Sequence, residues 1–157
     1  MKNATLCLLV KNNEILLAMK KRGFGVGKWN GVGGKIDKDK GDKDIVAAAI
    51  RETKEEIGIN INDLEKVALL RFRFPYQIDW NQDVHVFLVK KWQGQPKESE
   101  EMSPKWFRAN EIPYQAMWDD DKVWLPHVLD GKKLEAGFLF KKGEIIEKYH
   151  LNFVKEI

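Results

Sequence analysis

The chain has one cysteine, five prolines and no apolar run long enough to cross a bilayer. Cys7 has no partner for an intrachain disulfide, and its place inside the apolar stretch Thr5 to Val10 reads as a buried core thiol rather than a nucleophile. That stretch is far shorter than the roughly 20 residues of a membrane helix, and no small-residue cleavage site follows it. A reducing, cytoplasmic location without membrane attachment is the expectation. Prolines and serines do not gather into a linker and no segment repeats, so 157 residues, 43% of them hydrophobic, predict one domain over 1–157 with a real core. An excess of one charge is missing too: 27 basic residues are scattered among 24 acidic ones, for a net charge of +3 and a pI near 8.8. Such a distribution argues against stable nucleic-acid binding, and a monomer is the expectation.

Clustered acid is what the chain does have. In Arg51-Glu52-Thr53-Lys54-Glu55-Glu56-Ile57-Gly58-Ile59, a helix places Glu52, Glu55 and Glu56 at i, i+3 and i+4 on one narrow face. Like charges at that spacing cost an isolated helix about 0.2 to 0.5 kcal/mol per pair, and Lys54 points to the far side. A hard divalent cation relieves the repulsion, and Mg²⁺ favours such a site because it takes oxygen ligands and shares carboxylates with substrate phosphates. A solvated acidic face is the alternative for this segment alone. Upstream, Gly31-Val32-Gly33-Gly34-Lys35 forms a glycine-rich turn between a strand and the acidic helix, where backbone can approach a ligand.

The rest reads as mixed α and β. Thr5 to Val10 and Ile15 to Met19 are strands around an Asn12-Asn13 turn. From Asp44 to Ile57 a helix carries Val46, Ile50 and Ile57 as an apolar stripe opposite the glutamates. Val67 to Phe74 and Val84 to Val89 pair across a loop at Gln77 to Asn81, and Lys105 to Arg108 alternates briefly. Asp121 caps a helix to Leu129, stopped by Gly131, and Leu134 to Phe140 with Ile145 to Phe153 closes a hairpin at Lys142-Gly143. This pattern is α+β, a mixed β-sheet sandwiched between α-helices.

The glycine turn and the glutamate helix together resemble the Nudix family, whose box reads G-x5-E-x7-R-E-U-x-E-E-x-G-U with U apolar. Arg51 to Ile59 fits, with Thr53 in an apolar slot. Gly34 lies three residues further from Arg51 than the box requires, so Ile36 to Asp42 reads as an insertion, and Lys43 stands at the first glutamate, with Asp42 or Asp44 as a substitute. The resemblance implies the Nudix fold and Mg²⁺-dependent hydrolysis of a nucleoside diphosphate linked to another moiety, with Mn²⁺ as an alternative metal.

Further blocks are similar to the branch of the family that acts on oxidised purine nucleoside triphosphates: Met19 to Gly25, Trp29-Asn30-Gly31, Asp83 to Phe87, Glu98 to Met102 and Met117 to Asp121. That likeness implies that Asn30 binds the purine and that Asp120 and Asp121 face its Watson-Crick edge, where a shared proton lets the pair donate as well as accept. Asp119 stands where the branch has proline. Helix capping is the structural alternative for Asp120 and Asp121. Trp118 and Phe72 are the stacking candidates, Thr5 and Lys20 match pocket positions, and Phe24, Phe74 and Trp124 divide evenly between pocket and core. Trp92 and Trp106 read as core, and His85 as a packed, hydrogen-bonded residue of a strand rather than a base.

The resemblance further implies that Glu52, Glu55, Glu56 and Glu101 serve as metal ligands and catalytic groups. Glu56 or Glu101 is the base, and Glu55 completes coordination or orients the water. Arg51 braces the glutamates. Gly33, Gly34 and Lys35 offer amides and charge on the phosphate side. Two rival readings stay open: a Nudix hydrolase of dinucleotide polyphosphates or nucleotide sugars, and a non-catalytic nucleotide-sensing module with an altered loop.

Overall fold

The computed structural model describes residues 1–157. β1 (Lys2–Lys11) sends Ala4, Leu6 and Leu8 to one side of a sheet and Cys7 and Leu9 to the other, and all five are buried. A strand buried on both faces needs a layer over each. β2 (Glu14–Lys20) folds back antiparallel with Val10 opposite Ile15. Between them Asn12 and Asn13 take φ of 48° and 63°, the left-handed geometry of a two-residue hairpin turn that asparagine tolerates. β1 pairs in parallel with β5 (Gln82–Gln93), and β5 lies antiparallel to β4 (Asn60–Arg73). β4 is parallel to β7 (Lys133–Lys141), which forms the closing hairpin with β8 (Ile145–Val154). β6 (Met102–Arg108) runs along the whole other edge of β2, while the short β3 (Trp29–Asn30) pairs with Ala18 and Met19 on the edge that β1 leaves free, which completes a mixed eight-stranded sheet.

One helix covers each face. α1 (Ile45–Ile57) sets Ala49 and Ile57 against Cys7, Leu9, Leu16, Phe87 and Val89. α2 (Asp121–Leu129) sets Trp124, Leu125 and Val128 against Leu6, Leu70, Val86 and Ala136. The expected sandwich of sheet between helices is the observed architecture. Asp44 caps α1 by accepting from the Ala47 amide at 2.8 Å, and Gly58, at φ 73°, ends it. Neither helix is long and apolar enough to cross a membrane.

Two local expectations are corrected. The packed face of α1 is Ala48, Ala49, Thr53, Glu56 and Ile57, whereas Val46 and Ile50 are 37% and 38% exposed. Alanines let the helix approach the sheet closely. Thr53 fits the apolar slot because its hydroxyl donates to the Ala49 carbonyl at 2.8 Å. The catalytic candidates therefore adjoin the packed face instead of opposing it, and Glu56 is buried. At α2 the cap position belongs to Asp120, not Asp121, and the Asp120 side chain makes no capping bond. Gly131, at φ 89°, does follow the helix end. Trp92 and Trp106 stack on each other at 5.9 Å over the α1-side core, and His85 meets the Asn3 side chain at 2.9 Å, both as expected. The Cys7 thiol is buried and pushed up to about 12.

Candidate active site

The C-terminal half of α1 and the turn before β6 meet at a cavity of about 310 Å³ walled by Glu52, Glu55, Glu56, Ser99, Glu100 and Glu101, with Lys40 at its margin. Sequence and fold cooperate here. Helical spacing aligns the three α1 glutamates, and β6 pairing with β2, Met102 opposite Lys20, delivers Glu101 from 45 residues beyond Glu56. Glu56 is 7% exposed, and its Oε2 is buried without any hydrogen-bond partner. Burial first, and the neighbouring Glu52 charge next, push its carboxyl up to about 8, against a smaller downward pull from Lys20.

Arg51 does brace the cluster. Its Nη1 donates to Glu55 Oε2 at 3.1 Å and lies 3.1 Å from Glu52 Oε1. On the other side Asp42 grips the same guanidinium in a fork, accepting from Nε at 2.9 Å and Nη2 at 2.7 Å, while Nη2 also donates to the Lys35 carbonyl. Asp42 is 4% exposed, and the Arg51 guanidinium holds its carboxyl below the usual range. Of the two candidate substitutes for the missing first glutamate, Asp42 occupies the place beside Arg51; Asp44 is spent on capping α1. Lys43 is exposed.

Glu56 is left as the member no cation balances. An all-oxygen donor set with a buried, unpartnered carboxylate oxygen fits a hard divalent ion. No three His, Cys, Asp or Glu side chains form a ready-made metal cluster, so binding an ion would draw the carboxylates inward.

The glycine-rich segment joins this cavity to a second one. Gly34 accepts from the Thr5 amide at 2.8 Å, and its own amide donates to the Thr5 hydroxyl at 3.1 Å, which ties the segment to β1. The Gly34 amide is thus already engaged, contrary to the expectation that it stands free for phosphate. Its glycine has another reason: a Cβ there would stand 2.5 Å from the Glu52 carboxyl carbon. Gly33, Gly34 and Lys35 all line the neighbouring cleft.

That cleft, about 380 Å³, opens between the sheet and α2 and collects Thr5, Lys20, Asn30, Phe72, Trp118, Asp120 and Asp121. Asn30, which lines the cleft, spends its Oδ1 on the Gly31 amide at 2.9 Å, so its amide nitrogen is the group left to donate. Asp120 and Asp121 are each 3% exposed. Asp120 Oδ2 accepts from the Trp124 indole at 2.7 Å, and Asp121 Oδ2 is buried without a partner. Burial raises both carboxyls, Asp120 to about 7, and at Asp121 the neighbouring Asp120 charge adds to the rise, so both favour the protonated form more than an exposed aspartate does. Asp119 faces away, accepting from the Ile146 amide at 2.9 Å and pairing with Lys122 at 2.7 Å.

Aromatic rings form the cleft's lid. Trp118 lies 5.0 Å from Phe24 and carries the Lys28 ammonium 5.2 Å above its ring, and Phe24 also meets Trp80 at 5.0 Å. Phe24, Phe74 and Trp124 all line the cleft, although Phe74 and Trp124 are buried in the core as well. Phe72 lines it with its ring stacked on Phe138 at 5.6 Å. Trp80 and Lys28 line the cleft as well, from a single 3-10 turn and from a loop, where no periodicity in the residues marks which side chains turn inward.

The family model described as NUDIX domain matches residues 1–128. The chain belongs to the Nudix family. It is 40% identical over 153 residues to the oxidized purine nucleoside triphosphate hydrolase of Danio rerio, covering 98% of this chain and 96% of that one. To the protein of the same name from Mus musculus it is 41% identical over 150 residues, 96% and 94% of the two chains. The fold superposes on the crystal structure of a MutT protein from Bacillus halodurans with a TM-score of 0.83, over 97% and 98% of the chains at 24% identity. The mixed eight-stranded sheet between two helices is the Nudix fold. Nudix hydrolases require a divalent metal, and the glutamate cavity offers a donor set suited to one.

Proposed function

We propose that this Nudix protein hydrolyses oxidised purine nucleoside triphosphates, of the 8-oxo-dGTP and 2-hydroxy-dATP type, to the monophosphate and pyrophosphate, removing damaged precursors from the nucleotide pool. The observation that carries the reading is the buried pair Asp120 and Asp121 in the same cleft as the Asn30 amide, a cleft that Gly34 joins to the glutamate cavity. A pair that shares a proton both donates and accepts, so it suits purine edges whose donors and acceptors oxidation has rearranged. Asn30 reads a second edge, and Trp118 supplies a stacking face worth about 1 to 3 kcal/mol per base. The near full-length likeness to enzymes named for this substrate class supports the same reading.

For the chemistry, Glu52, Glu55, Glu56 and Glu101 would hold the divalent metal, Mg²⁺ first with Mn²⁺ as an alternative, which when bound neutralises phosphate oxygens and lowers the pKa of water. Glu56 or Glu101 accepts the proton of the attacking water as its oxygen bonds to phosphorus and the bridging P–O bond breaks. Arg51 holds Glu52 and Glu55 in place from Asp42. Lys20 and Lys35 add positive charge where the cleft meets the carboxylates. Monomeric action on a free nucleotide in the cytoplasm belongs to the same proposal.

The test is pyrophosphate release by purified protein with Mg²⁺ across 8-oxo-dGTP, 2-hydroxy-dATP, dGTP, ATP, a dinucleotide polyphosphate and a nucleotide sugar. The oxidised purines are expected to lead in kcat/KM. Asp120→Asn, which fixes one donor and one acceptor, is expected to change the 8-oxo-dGTP to 2-hydroxy-dATP ratio about ten- to a hundredfold, the worth of one good pair of base contacts. Equal activity on the dinucleotide or sugar would sink the reading.

A further inference from the structure

The inserted loop delivers a cation to the carboxylate cavity. Asp37 opens the loop by accepting from the Asp39 amide at 3.0 Å, a single 3-10 turn runs over Lys38–Lys40, and Gly41, at φ 90°, closes it. Asp42 Oδ2 returns to the Asp37 amide at 2.8 Å while gripping Arg51. The loop is therefore a closed turn anchored on α1, and it holds the Lys40 backbone at the cavity rim. The Lys40 ammonium lies 3.6 Å from Glu55 Oε2 and is the only cation lining the cavity.

Two contacts place it relative to the large cleft. Asp120 and Asn30 line that cleft, and Gly34, which lines it too, adjoins the Glu52 carboxylate. Glu55, one helical turn from Glu52, pairs with Lys40, and neither Glu55 nor Lys40 lines the cleft. A nucleotide with its base at Asp120 would therefore run its phosphates past Gly34 and Glu52 toward Glu55 and Lys40. Resting on the proposed substrate class, we infer that Lys40 is a terminal-phosphate contact: in the free protein it shares Glu55 Oε2 with Arg51, and it moves to the last phosphate of a bound triphosphate. The exchange is cheap, because a half-exposed ion pair of this kind contributes little, and the Lys40 side chain is 52% exposed and free to swing. A divalent ion, once bound, would balance Glu55 in its place.

The experiment compares wild type, Lys40→Met, Lys40→Arg and a control, Lys38→Met, on the same exposed turn. Calorimetry with Mg²⁺ measures binding of 8-oxo-dGMP and of the non-hydrolysable α,β-imido analogue of 8-oxo-dGTP. Lys40→Met is expected to weaken the triphosphate analogue about tenfold or more, the scale of one charge-assisted contact, and to leave the monophosphate unchanged. Lys40→Arg should retain most of the affinity, and Lys38→Met all of it. Without nucleotide, Mn²⁺ titration followed by electron paramagnetic resonance is expected to show tighter metal binding in Lys40→Met, since no ammonium competes for Glu55. Wild-type affinity for the analogue in Lys40→Met, or an equal loss in Lys38→Met, overturns the assignment of Lys40 alone. Failure of the wild type to bind either ligand would instead bring down the substrate class on which it rests.

Discussion

Glu56 is buried by the fold and given no cation of its own, while Glu52 and Glu55, four residues or fewer away, share Arg51. A carboxylate kept in that condition is costly to the fold unless a ligand uses it. Glu56→Gln is nearly isosteric, so the fold should persist while kcat falls by at least about a hundredfold, as when a major electrostatic contributor is lost. Near-normal turnover at saturating Mg²⁺ would remove Glu56 from the machinery. Because the folded state raises this carboxyl to about 8, it contributes less stability as pH climbs from the ordinary glutamate range through that value. Metal-free Glu56→Gln should accordingly melt no lower than wild type at alkaline pH, and a clear drop there would mean that the carboxylate is a structural ion-pair partner.

The element that departs most from the family spacing is the loop between Gly34 and α1. The loop folds so that Asp42, and not Lys43, reaches Arg51, and the bidentate geometry makes Asp42 the clamp behind the glutamates. Asp42→Asn loses the charge and one arm of the fork. Its expected effect is a fall in kcat/KM of about tenfold or more with weaker apparent Mg²⁺ affinity, in line with loss of a partner that orients a metal ligand. Lys43→Glu, at an exposed position, should change activity only modestly. A larger effect from Lys43→Glu than from Asp42→Asn, measured by Mg²⁺ titration of initial rates, would reverse the assignment. The glutamate spacing on α1 was legible because helical periodicity is local. The choice between Asp42 and Asp44 was not, since it depends on which way a loop of altered length turns. Nor was the packed face of α1: Val46 and Ile50 looked like the apolar stripe, but close approach to the sheet favoured the small Ala48 and Ala49.

At the scale of the whole molecule, the purine cleft places two aspartates against the α2-side core, and their protonation is linked to folding. Both carboxyls are raised, Asp120 to about 7, so above the unfolded value of about 3.9 the folded chain binds more protons than the unfolded one. The stability from this pair is therefore fullest at low pH and is lost as pH rises through about 7. Asp120→Asn removes one of the two titrations. Its melting temperature relative to wild type is expected to rise by several degrees between about pH 5 and pH 8, and a constant offset would show that the two carboxyls do not share a proton in the folded state. The chain by itself determined the elements whose signals are local: the hairpin at Asn12-Asn13, the glutamate row of α1, the closing hairpin after α2, and hence an α+β sandwich. Every metal-ligand, pocket and phosphate-side residue it pointed to lines one of the two cavities. Only the tertiary structure decided that Glu101 joins Glu52 and Glu56, that Asp42 holds Arg51, that Trp80 and Lys28 turn into the cleft and that Lys40 stands beside Glu55. Those pairings are set by strand register and loop path, which depend on how distant segments bury their apolar faces against one another and leave no periodic trace in the residues themselves.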